Sequence, residues 1–321
     1  MLRASLVAFA LAAVALAPPA SAQGYPSRPI RMVVPFGAGG ATDIIARVLA
    51  ERAGTEIGQR VVVENRPGAA GNIGADAVAK TPADGYTWLM ASVSIVAVNP
   101  FIFRDMLYDV QRDLRPVVLA AAISGMIAAT PGLAANTVAE LVALARQRPG
   151  QLSFASAGSG STSHMQGELF QMLTGVGLLH VPYRSAPPAM ADLASGRVDL
   201  VFDSAPTLMG HVTAGRLKAI AMASERSPLL PGIATVAEQG VAGYDTRGWF
   251  GIMLPTGAAE EVTRSINGAM NRALSAADVR QALAAQGAEP LGGTPADFEA
   301  LAARDRDRWQ AVVRHANIRP E

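Results

Sequence analysis

Short apolar runs alternate along this chain with stretches whose apolar residues recur every three or four positions, and glycine-rich segments join the two kinds. Ile30–Pro35 reads as a β-rich run, followed by a glycine loop and a helical pattern from Thr42 to about Ile57. Val61–Glu64 predicts the next strand, ended by the turn cluster Asn65-Arg66-Pro67-Gly68. Gly71–Lys80 predicts a second helix and Tyr86–Met90 a third strand. Alternation of this kind implies a parallel sheet covered by helices on both faces.

A second series begins near Gly125, with strand patterns over Met126–Ala129, Leu152–Ser156, Leu179–Val181, Val198–Phe202 and Leu217–Ala223. Helical patterns over Thr137–Arg146, Ser163–Thr174 and Ala189–Ser195 separate them. Trp249–Leu254 is the last expected strand, and helices follow over Glu260–Leu274, Ala277–Gln286 and Pro295–His315. One strand and three helices cannot close a domain alone, so this tail is expected to return to the first lobe. The expected lobes are 23–123 with 248–321, and 124–247, with a cleft between them as the default place for a small ligand.

A length of 321 residues suits two lobes. Half the residues are hydrophobic and 17% charged, enough apolar material for a real core. The net charge is only +1, which argues against a nucleic-acid binder. With no cysteine, thiol catalysis, iron–sulfur clusters and disulfides are excluded. His164, His180, His211 and His315 show no metal-ligand spacing, so neither a metal nor another cofactor is expected. Arg3, the apolar run Ser5–Ala17, Pro18-Pro19 and Ala20-Ser21-Ala22 together read as a secretory leader, 1–22, cleaved near Ala22/Gln23. The apolar run is shorter than the ~20 residues of a membrane span.

The loop Pro35–Asp43 follows a strand and opens a helix, where glycines admit a ligand to the backbone and free helical N–H groups attract anions. Thr42 or Asp43 is the expected N-cap. Gly37-x-Gly39-x-x-Thr42 lacks the third glycine of a dinucleotide fingerprint, although Glu64 stands about where a ribose-binding acid would. The loop Ala155–His164 repeats the arrangement in the second lobe. Ser163 and Gln166 have capping-box spacing there, leaving Ser156, Ser159, Ser161 and Thr162 as hydroxyl donors. Two such loops facing one cleft suit a carboxylate or dicarboxylate. No G-x-S-x-G elbow occurs, His164 reads as a capping or lining group, and His180 as a packed one. Tyr183, Arg184 and Asp203 follow or end strands at the same rim; Arg184 reads first as surface and Asp203 equally as an N-cap.

Taken in order, the motifs Tyr25-Pro26-Ser27-Arg28-Pro29-Ile30, Val34–Asp43, Val63–Gly74, Asp84-Gly85-Tyr86-Thr87, Ser156–His164, His180-Val181-Pro182-Tyr183 and Ala285–Pro290 are similar to those of the Bug (TctC) family. These are periplasmic substrate-binding receptors of tripartite tricarboxylate transporters, and the resemblance covers essentially the whole mature chain. It implies a type II periplasmic-binding-protein fold, two α/β lobes closing on a small organic carboxylate without catalysis. It also implies a ligand site at Phe36, Gly37, Ala38, Gly39 and Asp43 in the first loop, and at Ala157, Gly158, Ser159, Ser161, Thr162, Ser163 and His164 in the second. Ser92, Tyr183 and Asp203 complete it, Asp203 meeting an amino or hydroxyl group. The implied partners are the carboxylate and the transporter's membrane subunits, with no nucleic acid, and the receptor is expected as a monomer. Arg184-Ser185-Ala186-Pro187-Pro188 departs from the family's usual Lys-Gly-Ser-Ala-Pro, and Ser204 stands where Asn is common. Val93 and Ile95 form an apolar wall that favours an aromatic or alkyl carboxylate over citrate. The competing readings are a carboxylate sensor that signals through a membrane protein, and a secreted carboxylate-processing enzyme.

Overall fold

The computed structural model describes residues 24–183, 186–227 and 230–318; the expected leader and Arg184 lie outside them. The chain opens with β1 (Ile30–Val34), α1 (Ala41–Ile57), β2 (Val61–Asn65), α2 (Asn72–Ala79) and β3 (Thr87–Ser92). Ile30, Met32 and Val34 of β1 enter one apolar cluster and Val33 the other, so both faces of the strand are buried. That is why the run is continuously hydrophobic. Ile45, Leu49 and Ala53 turn the buried stripe of α1 inward, and Gly58 ends the helix at φ 80°.

After β4 (Leu114–Ile123) the chain crosses to β5 (Gly125–Ala129), and then runs through α3 (Val138–Gln147), β6 (Ser153–Ser156), α4 (Thr162–Thr174) and β7 (Leu179–Pro182). Next come α5 (Ala186–Ala194), β8 (Leu200–Ser204), α6 (Ala205–Thr213) and β9 (Lys218–Met222). It returns in β10 (Gly248–Pro255), α7 (Glu260–Ser275), α8 (Ala277–Ala285), β11 (Ala288–Gly292) and α9 (Pro295–His315).

Two sheets result, of order β11-β4-β10-β3-β1-β2 and β7-β6-β8-β5-β9. Each has three parallel strands, β2-β1-β3 and β7-β6-β8. Next to them lies an antiparallel strand that has just crossed from the opposite lobe, β10 in the first sheet and β5 in the second. The sheets are therefore mixed, not purely parallel as the alternation implied, because a strand entering from the other lobe runs the opposite way. A second correction concerns the tail, which holds two strands: β11 pairs antiparallel with β4 at the sheet edge. Pro290 within it is tolerated because an edge strand has one unpaired side.

The two crossings lie side by side. A Cβ on Gly125 would stand 3.0 Å from the Thr246 hydroxyl of the return crossing, leaving only glycine at ease there. One apolar cluster runs between the lobes, joining Ile95, Ile102 and Trp249 to Phe154, Met165 and Phe170. α9 begins with a Thr294/Asp297 capping box and contributes Phe298, Trp309 and Val312 to that cluster.

Candidate functional site

A cavity of about 750 Å3 opens between the lobes where the strand ends of both sheets face each other. The first-lobe loop is pinned from beneath. Asp43 is buried; its Oδ2 accepts from the Gly39 N–H at 2.9 Å and from Arg47 Nε at 3.0 Å, and its Oδ1 accepts from Asn65 Nδ2 at 2.8 Å. Burial pushes the Asp43 carboxyl up, but the hydrogen bonds from Arg47, Gly39 and Asn65, with the Arg47 charge, outweigh it and hold the group below the ordinary value. Asn65 also donates to the Phe36 carbonyl at 3.1 Å, tying the end of β2 to the loop after β1. Helix α1 then starts one residue earlier than the sequence pattern implied, with Gly40 as N-cap in place of Thr42 or Asp43. The Asp43 side chain is unavailable as a cap because it folds back onto Gly39. Phe36, Ala41 and Thr42 line the cavity; Gly37, Ala38 and Gly39 are exposed and do not, and neither does Asp43. Glu64 turns toward Arg31 at 3.4 Å.

The second-lobe loop is braced by two imidazoles. Gly158 and Gly160 have φ of 115° and 74°, conformations that favour glycine. His164 is buried and its Nδ1 accepts from the Gly160 N–H at 3.0 Å, so the ring supports the loop from behind and does not line the cavity. Its ring stacks on His180 at 3.8 Å between centroids, and His180 stacks in turn on Phe154. His180 Nε2 lies 2.6 Å from Ser156 Oγ, which accepts from the Gly158 N–H. Burial, with the neighbouring His164, pushes the His180 imidazole down to about 4.

Helix α4 is capped by Ser161, whose Oγ accepts from the His164 N–H, and not by Ser163. Ser163 Oγ instead accepts from the Ala157 N–H at 3.0 Å, and Gln166 is buried against the return crossing. The helical pattern leaves the Thr162 and Ser163 N–H groups without intrahelical acceptors. Ala157, Gly158, Ser159, Ser161, Thr162 and Ser163 all line the cavity, as does Tyr183. The Tyr183 phenol donates to Asp192 at 2.8 Å. Ser92, the last residue of β3, lines the opposite wall with its hydroxyl buried and unpartnered.

Asp203 lies in β8, not at a helix cap; Ser204 takes the cap position. It lines the cavity, Oδ1 accepts from the Ser204 N–H, and burial pushes the carboxyl up to about 6. Sequence reasoning missed Ser94, whose hydroxyl lies 2.8 Å from that of Thr162 and joins the two lobes across the cleft. It also missed Thr42, Gln166 and Phe103 as lining residues. The wall at Ala69 and Ala70 carries left-handed φ of 44° and 52°, a strain of a kind that gathers at ligand sites. Among the described residues no lysine, arginine or histidine lines the cavity, and no cluster of three side chains is able to hold a metal ion.

The family model described as tripartite tricarboxylate transporter family receptor matches residues 45–318. The chain is 38% identical to Protein BugT of Bordetella pertussis, over 98% of this chain and 97% of that protein. Among solved structures, an R. palustris protein with adipate is 38% identical with a TM-score of 0.84, covering 92% of this chain and all of that one. MatC from Rhodopseudomonas palustris with bound malate is 30% identical with a TM-score of 0.79, over 90% of this chain and all of that one.

Proposed function

The chain belongs to the TctC family of tripartite tricarboxylate transporter receptors, and from that premise we propose that it grips the carboxylate of its ligand between the starts of α1 and α4. It is a periplasmic solute-binding protein of type II fold that captures a small organic carboxylate for such a transporter. The observation that carries the proposed grip is the pair of helix starts, one from each lobe, on a cavity with no described cationic side chain. Each helix start carries roughly half a positive charge, so two together match one carboxylate. From α4 come the Thr162 and Ser163 N–H groups, and from the loop before it the Ser159 hydroxyl; from α1 comes the backbone at Ala41 and Thr42.

Because donors come from both lobes, ligand binds the closed form better than the open one and shifts the population toward it. The units proposed to move are 23–123 with 248–321, and 124–247. The closed shape is then what the membrane subunits recognise. No bond is broken, so the receptor needs no nucleophile or base. The leader is proposed to leave near Ala22/Gln23 on secretion.

Ser161→Asp tests the grip. Aspartate is as good an N-cap as serine, so the fold survives, while a fixed negative charge enters the anion site. Calorimetry is expected to show at least a hundredfold loss of affinity for a carboxylate that binds the parent protein. Unchanged affinity would remove the α4 loop from the site.

A further inference from the structure

The loop that forms the second-lobe wall of the cavity is held at its tip by one ring nitrogen. His164, 6% exposed, accepts the Gly160 N–H on Nδ1 at 3.0 Å. An accepting Nδ1 carries no proton, so the neutral ring keeps its proton on Nε2, which lies 3.4 Å from Glu168 Oε1. His180 stacks on that ring at 3.8 Å between centroids and 11° from parallel. It reaches Ser156, whose hydroxyl takes the Gly158 N–H. Both imidazoles thus hold the loop by its backbone N–H groups, His164 directly and His180 through Ser156. Gly160 lines the cavity, and a Cβ on it would stand 3.0 Å from Ile102 of the first lobe. A change at His164 Nδ1 is therefore felt both at the ligand site and at the contact between lobes.

We infer that the stacked imidazoles are a proton-operated brace: neutral, they keep the loop before α4 shaped for a carboxylate, and one proton taken from solvent onto His164 Nδ1 frees Gly160 and releases the ligand. This rests on the carboxylate grip proposed above. His164 and His180 are positioning residues, since neither lines the cavity. A protonated Nδ1 is a donor facing a donor, so the Gly160 N–H loses its acceptor and the turn opens. Glu168 offers a counter-charge to His164 alone; His180 has none, and burial with its neighbour pushes it down to about 4. β6 presents Phe154 and Ser156 to the stack, neither of them charged. Among the described residues no other charged side chain makes an ion pair or hydrogen bond with either ring. Two charges 3.8 Å apart in such a stack repel strongly, so the pair takes a single proton as a unit. A charge there would by itself draw an anion; the geometry opposes it, because the proton sits on the atom that holds the loop.

The test follows that proton with and without ligand, in the parent protein and in H164N. An asparagine oxygen can take the Gly160 N–H where Nδ1 does, and it gains no proton in this range. Without ligand, hydrogen exchange at residues 157–161 is read near pH 7.5 and near pH 5.5. The parent is expected to lose about tenfold or more of its protection at the lower pH, while H164N keeps its own. With ligand, calorimetry takes as probes the straight-chain acids and diacids of four and six carbons. Between the same pH values the parent's affinity should fall about tenfold further than that of H164N. Protonation of the probe itself is common to both proteins and cancels in that difference. Near pH 6, two buffers of different ionisation enthalpy should show the parent releasing a fraction of a proton on binding, which H164N does not.

Parallel pH profiles in the two proteins overturn the inference. So does a parent that binds tighter in acid and takes up a proton, for then the imidazole charge draws the anion instead of freeing it. Failure of all four probes to bind near pH 7.5 counts against the grip alone, and the hydrogen exchange still upholds or overturns the brace. Should H164N fail to fold, the ring nitrogen-15 shifts of the parent decide: Nδ1 of His164 must gain its proton over the pH range in which residues 157–161 lose protection. A proton gained with the loop still protected overturns the brace.

Discussion

Burial acts the same way on Asp43 and Asp203, yet the two carboxyls end on opposite sides of the ordinary value, because Asp43 has Arg47, Gly39 and Asn65 as donors and the charge of Arg47, whereas the hydrogen bonds to Asp203 come from Ser204 and do not offset its burial. Asp43 therefore contributes stability above its unfolded value that is lost as pH falls through the folded one. Asp203 works against folding as pH rises toward 6. His180 has a third signature: its imidazole is held neutral, down to about 4, against about 6.5 in an unfolded chain. Its contribution is present in full above pH 6.5 and is lost as pH falls toward 4. His180→Phe keeps a ring in the Phe154 stack and removes that proton site. The parent melting temperature is expected to fall more steeply than the variant's between those limits; Asp203 is common to both proteins, so its opposing effect cancels in the difference. Parallel curves would show that His180 does not hold this linkage. Little of this was legible beforehand. The Ser/Gly composition of Ala157–Ser163 pointed to a loop that lines the cavity, as it does, but Asp43, in the first-lobe loop, is a brace, because hydrogen-bond partners such as Asn65 come from elsewhere in the chain.

Among the elements, α4 has the narrowest tolerance. A Cβ on Gly167 would meet the Phe154 ring at 2.4 Å. That ring cannot swing aside, since His180 is stacked on it and Phe202 meets it edge-on. Gly167→Ala must therefore push α4 away from β6, at about 1–3 kcal/mol of overpacking against at most about 1 kcal/mol regained in helix propensity. Both the melting temperature and carboxylate affinity should fall, because the displaced helix carries the Thr162 and Ser163 N–H groups with it. Gly210 of α6 has open space around it, so Gly210→Ala is the control expected to be neutral or slightly stabilising. Equal effects at the two sites would argue against the packing account. Strongly periodic elements such as α9 were readable from sequence. β4 was not, since Leu-Arg-Pro-Val-Val-Leu-Ala-Ala-Ala-Ile mixes a strand breaker with an alanine run that suits a helix. Pro116 is accommodated beside a register shift opposite Met253. β11, with Pro290 and Gly292, reads locally as a turn and becomes a strand only against β4.

For the molecule as a whole, the proposed closure would turn on the two adjacent crossings, with the Ser94–Thr162 hydroxyl pair spanning the cleft. Saturating carboxylate at a hundred times its dissociation constant should stabilise the receptor by about 2.7 kcal/mol, and small-angle scattering should show a smaller radius of gyration. Ser94→Ala removes the Ser94–Thr162 contact between the lobes. It is expected to weaken affinity while leaving the ligand-free melting temperature nearly unchanged. An unaltered radius on saturation would sink the closure mechanism.

The strands that cross between lobes also impose an order on biogenesis. A chain exported to the periplasm N-terminus first delivers β3 and β4 long before β10, which must lie between them. Until residues 248–255 arrive, those two strands present bare, apolar edges to the surroundings. The second sheet meets no such delay, because all five of its strands lie within one continuous stretch, from Gly125 to Met222. The later lobe in sequence is thus expected to mature earlier and to offer a finished scaffold against which the first is completed. A stalled or truncated chain ending before β10 would carry an intact second lobe and an aggregation-prone first one, a natural target for periplasmic chaperones and proteases.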